Sequence, residues 1–138
     1  MNEFLVSIDI CSPKHTLSEL SALTGVDAGK ASHEKDAPRG RRGTWPETIL
    51  RLESRIPLHA AAKEHVADVL SRFEGLGVYG RLAGNIGIQL HLNVAVIFST
   101  ANVSIEIDAC QLAVIGRLGM HLAFSAYPGS DEMESHEE

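Results

Sequence analysis

Three arginines and the only tryptophan of the chain fall within one short stretch, PRGRRGTW, as Arg39, Arg41, Arg42 and Trp45. Guanidinium groups bind phosphate or carboxylate in a bidentate fashion. Residues 30–42 hold five bases and two acids, a net +3. Beside an aromatic plane this is the composition of a site for a small anion, a phosphorylated ligand or a nucleic-acid backbone. The competing reading is a solvated connection. In that reading the arginines pair with Glu34, Asp36 or the acidic C-terminus while Trp45 packs inward. No glycine-rich loop opens a helix here, so the phosphate-binding arrangement at a helix N-terminus is missing, and the connection is favoured over the anion site.

A second group combines acids with an imidazole. His91 and Asn93 alternate along one apolar run, Glu106 and Asp108 along the next, and Asp9 along the first run of the chain. A histidine beside two carboxylates suits a metal ion or an acid/base pair. An antiparallel sheet with one wet face shows the same alternation for solvation alone. His59 and His65 stand six residues apart on a helical pattern and share no face, which predicts solvated side chains. Cys11 and Cys110 are too few for a disulfide framework, and although Lys14 and His15 follow Cys11, sequence neighbours are not spatial partners, which predicts buried or idle thiols. No GxSxG, HExxH, phosphate-loop or dinucleotide motif occurs.

The elements that would position these groups belong to a 138-residue chain with 44% hydrophobic and 22% charged residues, ordinary values for a globular domain. The net charge of −6 is unevenly placed. Residues 131–138 hold five acids and no Lys or Arg, leaving 12 bases against 13 acids elsewhere. A nearly neutral body disfavours a dedicated nucleic-acid binder. The start, MNEFLVSIDI, does not read as a secretory leader, and no apolar run is long enough to span a bilayer. A cytoplasmic protein with no cofactor is expected.

FLVSIDI (4–10) alternates as a half-buried strand. Thr16 and Glu19 form a capping-box pattern before a short helix that Gly25 stops. Residues 26–43 have no period and read as a long loop. TWPETILRLES (44–54) resumes strand alternation. From 59 to 76, Ala62, Val66, Val69, Leu70 and Phe73 recur at helical spacing. The runs 86–99 and 102–108 flank Thr100 and Ala101. Paired as a hairpin, they place Val94, Val96, Phe98, Val103, Ile105 and Ile107 on one face, and Asn93, Ala95, Glu106 and Asp108 on the other. Residues 110–119 form a third helix, with Asp108 and Gln111 as its capping box, and HLAFSAY (121–127) a last strand.

This β-α-β-α-β-β-α-β order predicts an α+β two-layer sandwich: a five-stranded, mainly antiparallel sheet with three helices on one face, ferredoxin-like or a variant. Residues 1–129 make one domain and residues 130–138 a disordered acidic tail. With FLVSIDI, GRRGTWPETILRLES and CQLAVIGRLGMHLAFSAYP, the chain resembles the bacterial domain of unknown function 4279 family across residues 4–128. The resemblance implies a fold and transfers no activity, substrate or catalytic residue. The reading reached is a small binding module without catalysis that uses the 26–43 loop and an exposed sheet face. Its partner is another protein or a small anionic ligand, with a homodimer through a sheet edge as one form. An enzyme centred on His91, Glu106 and Asp108 is the alternative, and anion or nucleic-acid binding at Arg39, Arg41 and Arg42 the third.

Overall fold

The computed structural model of the chain describes residues 2–77, 82, 87–99 and 102–129. Strand β1 (Glu3–Ser12) follows the alternation of its sequence, with Phe4, Val6, Ile8 and Ile10 all buried. Helix α1 (Leu17–Thr24) begins at the expected capping box, Thr16 accepting from the Glu19 amide while Glu19 accepts from that of Thr16. It ends at Gly25, whose φ of 76° is the left-handed conformation that a residue without Cβ adopts at least cost. Strand β2 (Thr48–Glu53), helix α2 (Ala62–Gly75), strand β3 (Gln89–Phe98), helix α3 (Ala109–Arg117) and strand β4 (His121–Pro128) follow.

The strands form one mixed sheet in the order β2-β1-β3-β4. β1 is antiparallel to β2 and to β3, whereas β3 and β4 run parallel. Parallel neighbours need a crossover between them, and the segment containing α3 supplies it. The registers align Leu52, Ile8, Leu92 and Leu122 in one row across all four strands. Those side chains belong to one apolar cluster with Leu20 of α1, with Val66, Val69, Leu70 and Phe73 of α2, and with Ile115 of α3. The helices therefore share the sheet face that carries the even-numbered residues of β1. His65 also lies in the buried stripe of α2, 1% exposed, rather than in solvent as its spacing from His59 suggested.

The expected fifth strand does not form. Residues 102–108 have no ladder partner. Ile105 and Ile107 pack half-buried against the core from an irregular connection, and Val103 is exposed. Only one strand can occupy the free side of β3, and β4 takes it after the crossover. Val94 and Val96 are fully buried as the hairpin required, but by a different neighbour. Without a direct β-β link the order becomes β-α-β-α-β-α-β, so the ferredoxin-like expectation and the mainly antiparallel sheet give way to a mixed four-stranded one. Thr100, Ala101 and the acidic tail lie outside the described residues. No helix among the described residues is long and apolar enough to cross a membrane.

Candidate binding cleft on the second sheet face

Alternation along β1 sends Ser7, Asp9 and Cys11 to the face opposite the helices, yet all three are buried. Register then decides what each meets. Asp9 stands opposite Arg51 of β2 and His91 of β3, and Ser7 opposite Asn93. The Asp9 carboxylate is fully engaged. Its Oδ1 accepts from Ser7 Oγ at 3.0 Å and Arg51 Nε at 2.8 Å. Its Oδ2 accepts from Arg51 Nη2 and Asn93 Nδ2, each at 2.8 Å. Four donors on a 4% exposed carboxylate satisfy the condition under which a buried charge is tolerated. The hydrogen bonds to Asp9 raise the Arg51 pKa above its ordinary value against the opposing effect of burial. Cys11, two residues on, has its thiol pKa pushed up to about 12, first by burial and then by Glu47 and Asp9, so it stays protonated and unreactive.

The cover over this half of the face is the 26–45 segment, which is tied down rather than loose. His33 and Ile49 exchange backbone hydrogen bonds of 2.8 Å along the outer edge of β2. The Arg51 amide donates to Ser32 Oγ at 3.0 Å. Thr48, fully buried, donates to the His15 carbonyl at 2.6 Å and accepts from the Lys35 amide at 3.2 Å. Glu34 Oε2 accepts from the Leu17 amide at 2.9 Å. Farther out, Asp36 and Ala37 bond to Trp45 through the backbone. The Trp45 ring stacks on His33 at 3.8 Å and 16°, and Arg39 lies 4.2 Å from its centroid. Burial, then the nearby Arg51 cation, lowers the His33 pKa. Pairing with a cation is most favourable over an indole face, so Arg39 is held on Trp45. Arg41 and Arg42 sit in a short 3-10 turn, Gly40–Arg42, and are exposed.

Between this lobe and the β3–β4 half of the face lies a cleft of about 440 Å³. Ser7, Arg51 and Asn93 form its polar floor, Leu5, Ala95 and Tyr127 an apolar side, and Ala31 belongs to the lobe. Its inner end reaches His65 beside Ser54, Ile56 and Leu58. The Ser54 hydroxyl accepts from the Ile56 amide at 3.1 Å and shares a hydrogen bond with His65 Nδ1 at 2.7 Å, whose direction follows the imidazole tautomer. His65 Nε2, also buried, has no hydrogen-bond partner among the described residues.

The structure gathers three of the sequence-derived polar-face residues and separates two. Asp9, His91 and Asn93 share the second face. His91 stacks against His121 of β4 with ring centroids 5.0 Å apart. Glu106 and Asp108 lie outside the sheet, because the strand that would have carried them there does not exist. Asp108 instead caps α3, accepting from the Gln111 amide at 2.8 Å, and Gln111 ties that helix to α2 through the Lys63 carbonyl. Among the described residues no three His, Cys, Asp or Glu side chains are grouped to hold a metal ion. Arg51, Ser7, Tyr127 and His65 are cleft residues that residue type and spacing did not single out. Arg51 was visible only as the polar member of Leu50-Arg51-Leu52. Its importance comes from lying opposite Asp9, a fact of register. Searches against family models, curated proteins and solved structures return no match to this chain.

Proposed function

We propose that the chain is a non-catalytic binding module whose contact site is the cleft on the second sheet face, bordered by the 26–45 lobe. The observation that carries this reading is the locked floor. Asp9 fixes Arg51 and Asn93 in place, so their remaining polar atoms are pre-organised at the base of an open, partly apolar cleft. Pre-organised groups lose little entropy on binding. Asn93 donates one amide proton to Asp9 Oδ2 and keeps its carbonyl oxygen as an acceptor. A fitting ligand has an apolar body for Leu5, Ala95 and Tyr127, an acceptor for Arg51 and a donor for Asn93. Asp9 neutralises Arg51, so a neutral ligand or a protein side chain suits the cleft better than a free anion.

The same observations argue against general acid/base work on the cleft floor. The Asp9 lone pairs are occupied, and the Cys11 thiol is protonated at any ordinary pH. The anion-binding alternative keeps the exposed Arg41 and Arg42, but its aromatic platform is taken by His33 and Arg39. The test is a fragment screen followed by amide NMR shifts, on wild type and on Ala95→Phe, which fills the cleft. Shifts at Leu5, Ser7, Asn93 and Tyr127 that vanish in the variant are expected. Hits that bind both proteins alike, or that move only the Arg41–Arg42 turn, sink the reading.

A further inference from the structure

The two outer edges of the sheet are treated differently. β2 has its outer edge covered by the His33 bridge. β4 closes the other side of the strand order, and nothing among the described residues pairs with it beyond β3. Its sequence, HLAFSAYP, contains no Lys, Arg, Asp or Glu, and its proline comes at the last position. Phe124 and Tyr127 are 53% and 55% exposed. Charge, proline, bulges or a cover normally protect such an edge from pairing, and among the described residues none protects Leu122–Tyr127.

We propose that β4 pairs antiparallel with β4 of a second copy of this chain, about a two-fold axis at Phe124. Register leads to this arrangement. The Gly129 amide donates to the Phe98 carbonyl at 2.8 Å. Backbone groups alternate in direction along a strand, so the odd residues of β4 point their N–H and C=O groups toward β3. Leu122, Phe124 and Ala126 therefore point theirs outward. Centred on Phe124, each of the three finds an outward partner: Phe124 meets the partner's Phe124, and Leu122 meets the partner's Ala126. A shift of this register toward the C-terminus would set Pro128, which has no N–H, against Leu122 and leave that ladder position half-made.

Side chains and charge fit the same register. On the helix side, Leu122 lies against the partner's small Ala126, and the two exposed phenyl rings meet at the axis. On the cleft side, Ala123 faces the partner's Ser125, and Tyr127 faces the partner's His121. Residues 131–138, with five acids, follow Gly129. Antiparallel pairing starts the two acidic segments from opposite ends of the joined strands, whereas parallel pairing would start them side by side. Like charges brought together oppose association, so the antiparallel form is selected.

A short edge-to-edge contact is small, so the dissociation constant is expected on the order of 10–100 µM. Sedimentation equilibrium of the full chain should show a mass rising from 14.9 kDa toward twice that value as concentration increases. Phe124→Lys places two cations at the axis and should weaken the dimer more than about 30-fold. Ala126→Pro removes an outward N–H without touching the β3 ladder and should also weaken it. Circular dichroism checks that both variants fold. In a Cys110→Ser background, Ala123→Cys with Ser125→Cys should oxidise to a covalent dimer through facing positions. A wild type that stays at the monomer mass up to about 1 mM, or a cysteine pair that never cross-links, overturns the proposal. So does a dimer that both edge variants leave intact.

Discussion

The β2 edge and the β4 edge of this sheet meet the same difficulty in opposite ways. Both are terminal strands with a row of backbone groups to satisfy. At β2 the segment between α1 and β2 satisfies them. His33 bridges Ile49, Ser32 caps the Arg51 amide, and Thr48 anchors the lobe from beneath. Ser7, Asp9 and Cys11 are buried on this side of the sheet, and the burial of Asp9 in turn demands its four-donor network. At β4 the described residues supply no cover and no network, and burial is slight. A covered edge becomes a fixed, polar part of the fold, and under the proposed reading binding falls to the cleft beside it. An uncovered edge keeps its hydrogen bonds for another strand.

The contrast predicts unequal responses to substitution. The largest should come from Asp9→Ala, which strips Arg51, Asn93 and Ser7 of their shared acceptor. Removing one partner of a buried pair costs about 3–5 kcal/mol, and Arg51's 30% side-chain exposure puts this case near the lower figure. Urea denaturation reads it, and a loss below about 1 kcal/mol would show that the network does not hold the β2 side together. Thr48→Val comes next, with an expected loss of about 1–3 kcal/mol for leaving the His15 carbonyl and the Lys35 amide unpaired in a part-buried place.

The third prediction concerns pH. His33 titrates below its ordinary value of 6.5 because burial, then Arg51, disfavours its charged form. A histidine with a lowered folded pKa takes up its proton more readily when unfolded. Its contribution is intact above 6.5 and is lost as pH falls toward the folded value. The lobe should therefore loosen on acidification. Trp45, stacked on His33 and the only tryptophan of the chain, reports this by fluorescence. The acid transition should disappear in His33→Asn. An unchanged transition in that variant would assign it to another group.

The smallest effect belongs to the bare edge. Phe124→Thr at high dilution should change stability by no more than about 0.5 kcal/mol, as for other exposed positions. With rising protein concentration the same substitution should matter more, because self-association stabilises only the wild type. A large loss at high dilution would mean that Phe124 belongs to the monomer's core, and the contrast between the edges would weaken.

Several local features were legible because their physics is local. The Thr16 and Asp108 capping boxes, the Gly25 stop and the alternation of β1 each depend on residues within a few positions of one another. Helix α2 was legible from the spacing of its buried stripe, whereas the burial of His65 was not. Helical spacing from His59 says nothing about which other residues lie in the buried sector. The supposed hairpin failed for a related reason. Val103, Ile105 and Ile107 do alternate, but alternation records only that one side is drier than the other. A connection lying on the core meets that requirement as well as a strand does.

Sequence alone therefore determined the α+β class, the three helices, the inward residues of β1 and β3, and the two helix caps. All follow from periodicity and short-range hydrogen bonding. Tertiary structure decided which strand lies beside β3, which acids share a face with His91, and whether the arginine loop is loose or anchored. It also set Arg51 against Asp9 across 42 positions of sequence. Such facts depend on strand order and register. They emerge from competition among all the segments for the same sheet positions, and no window of the chain contains that competition.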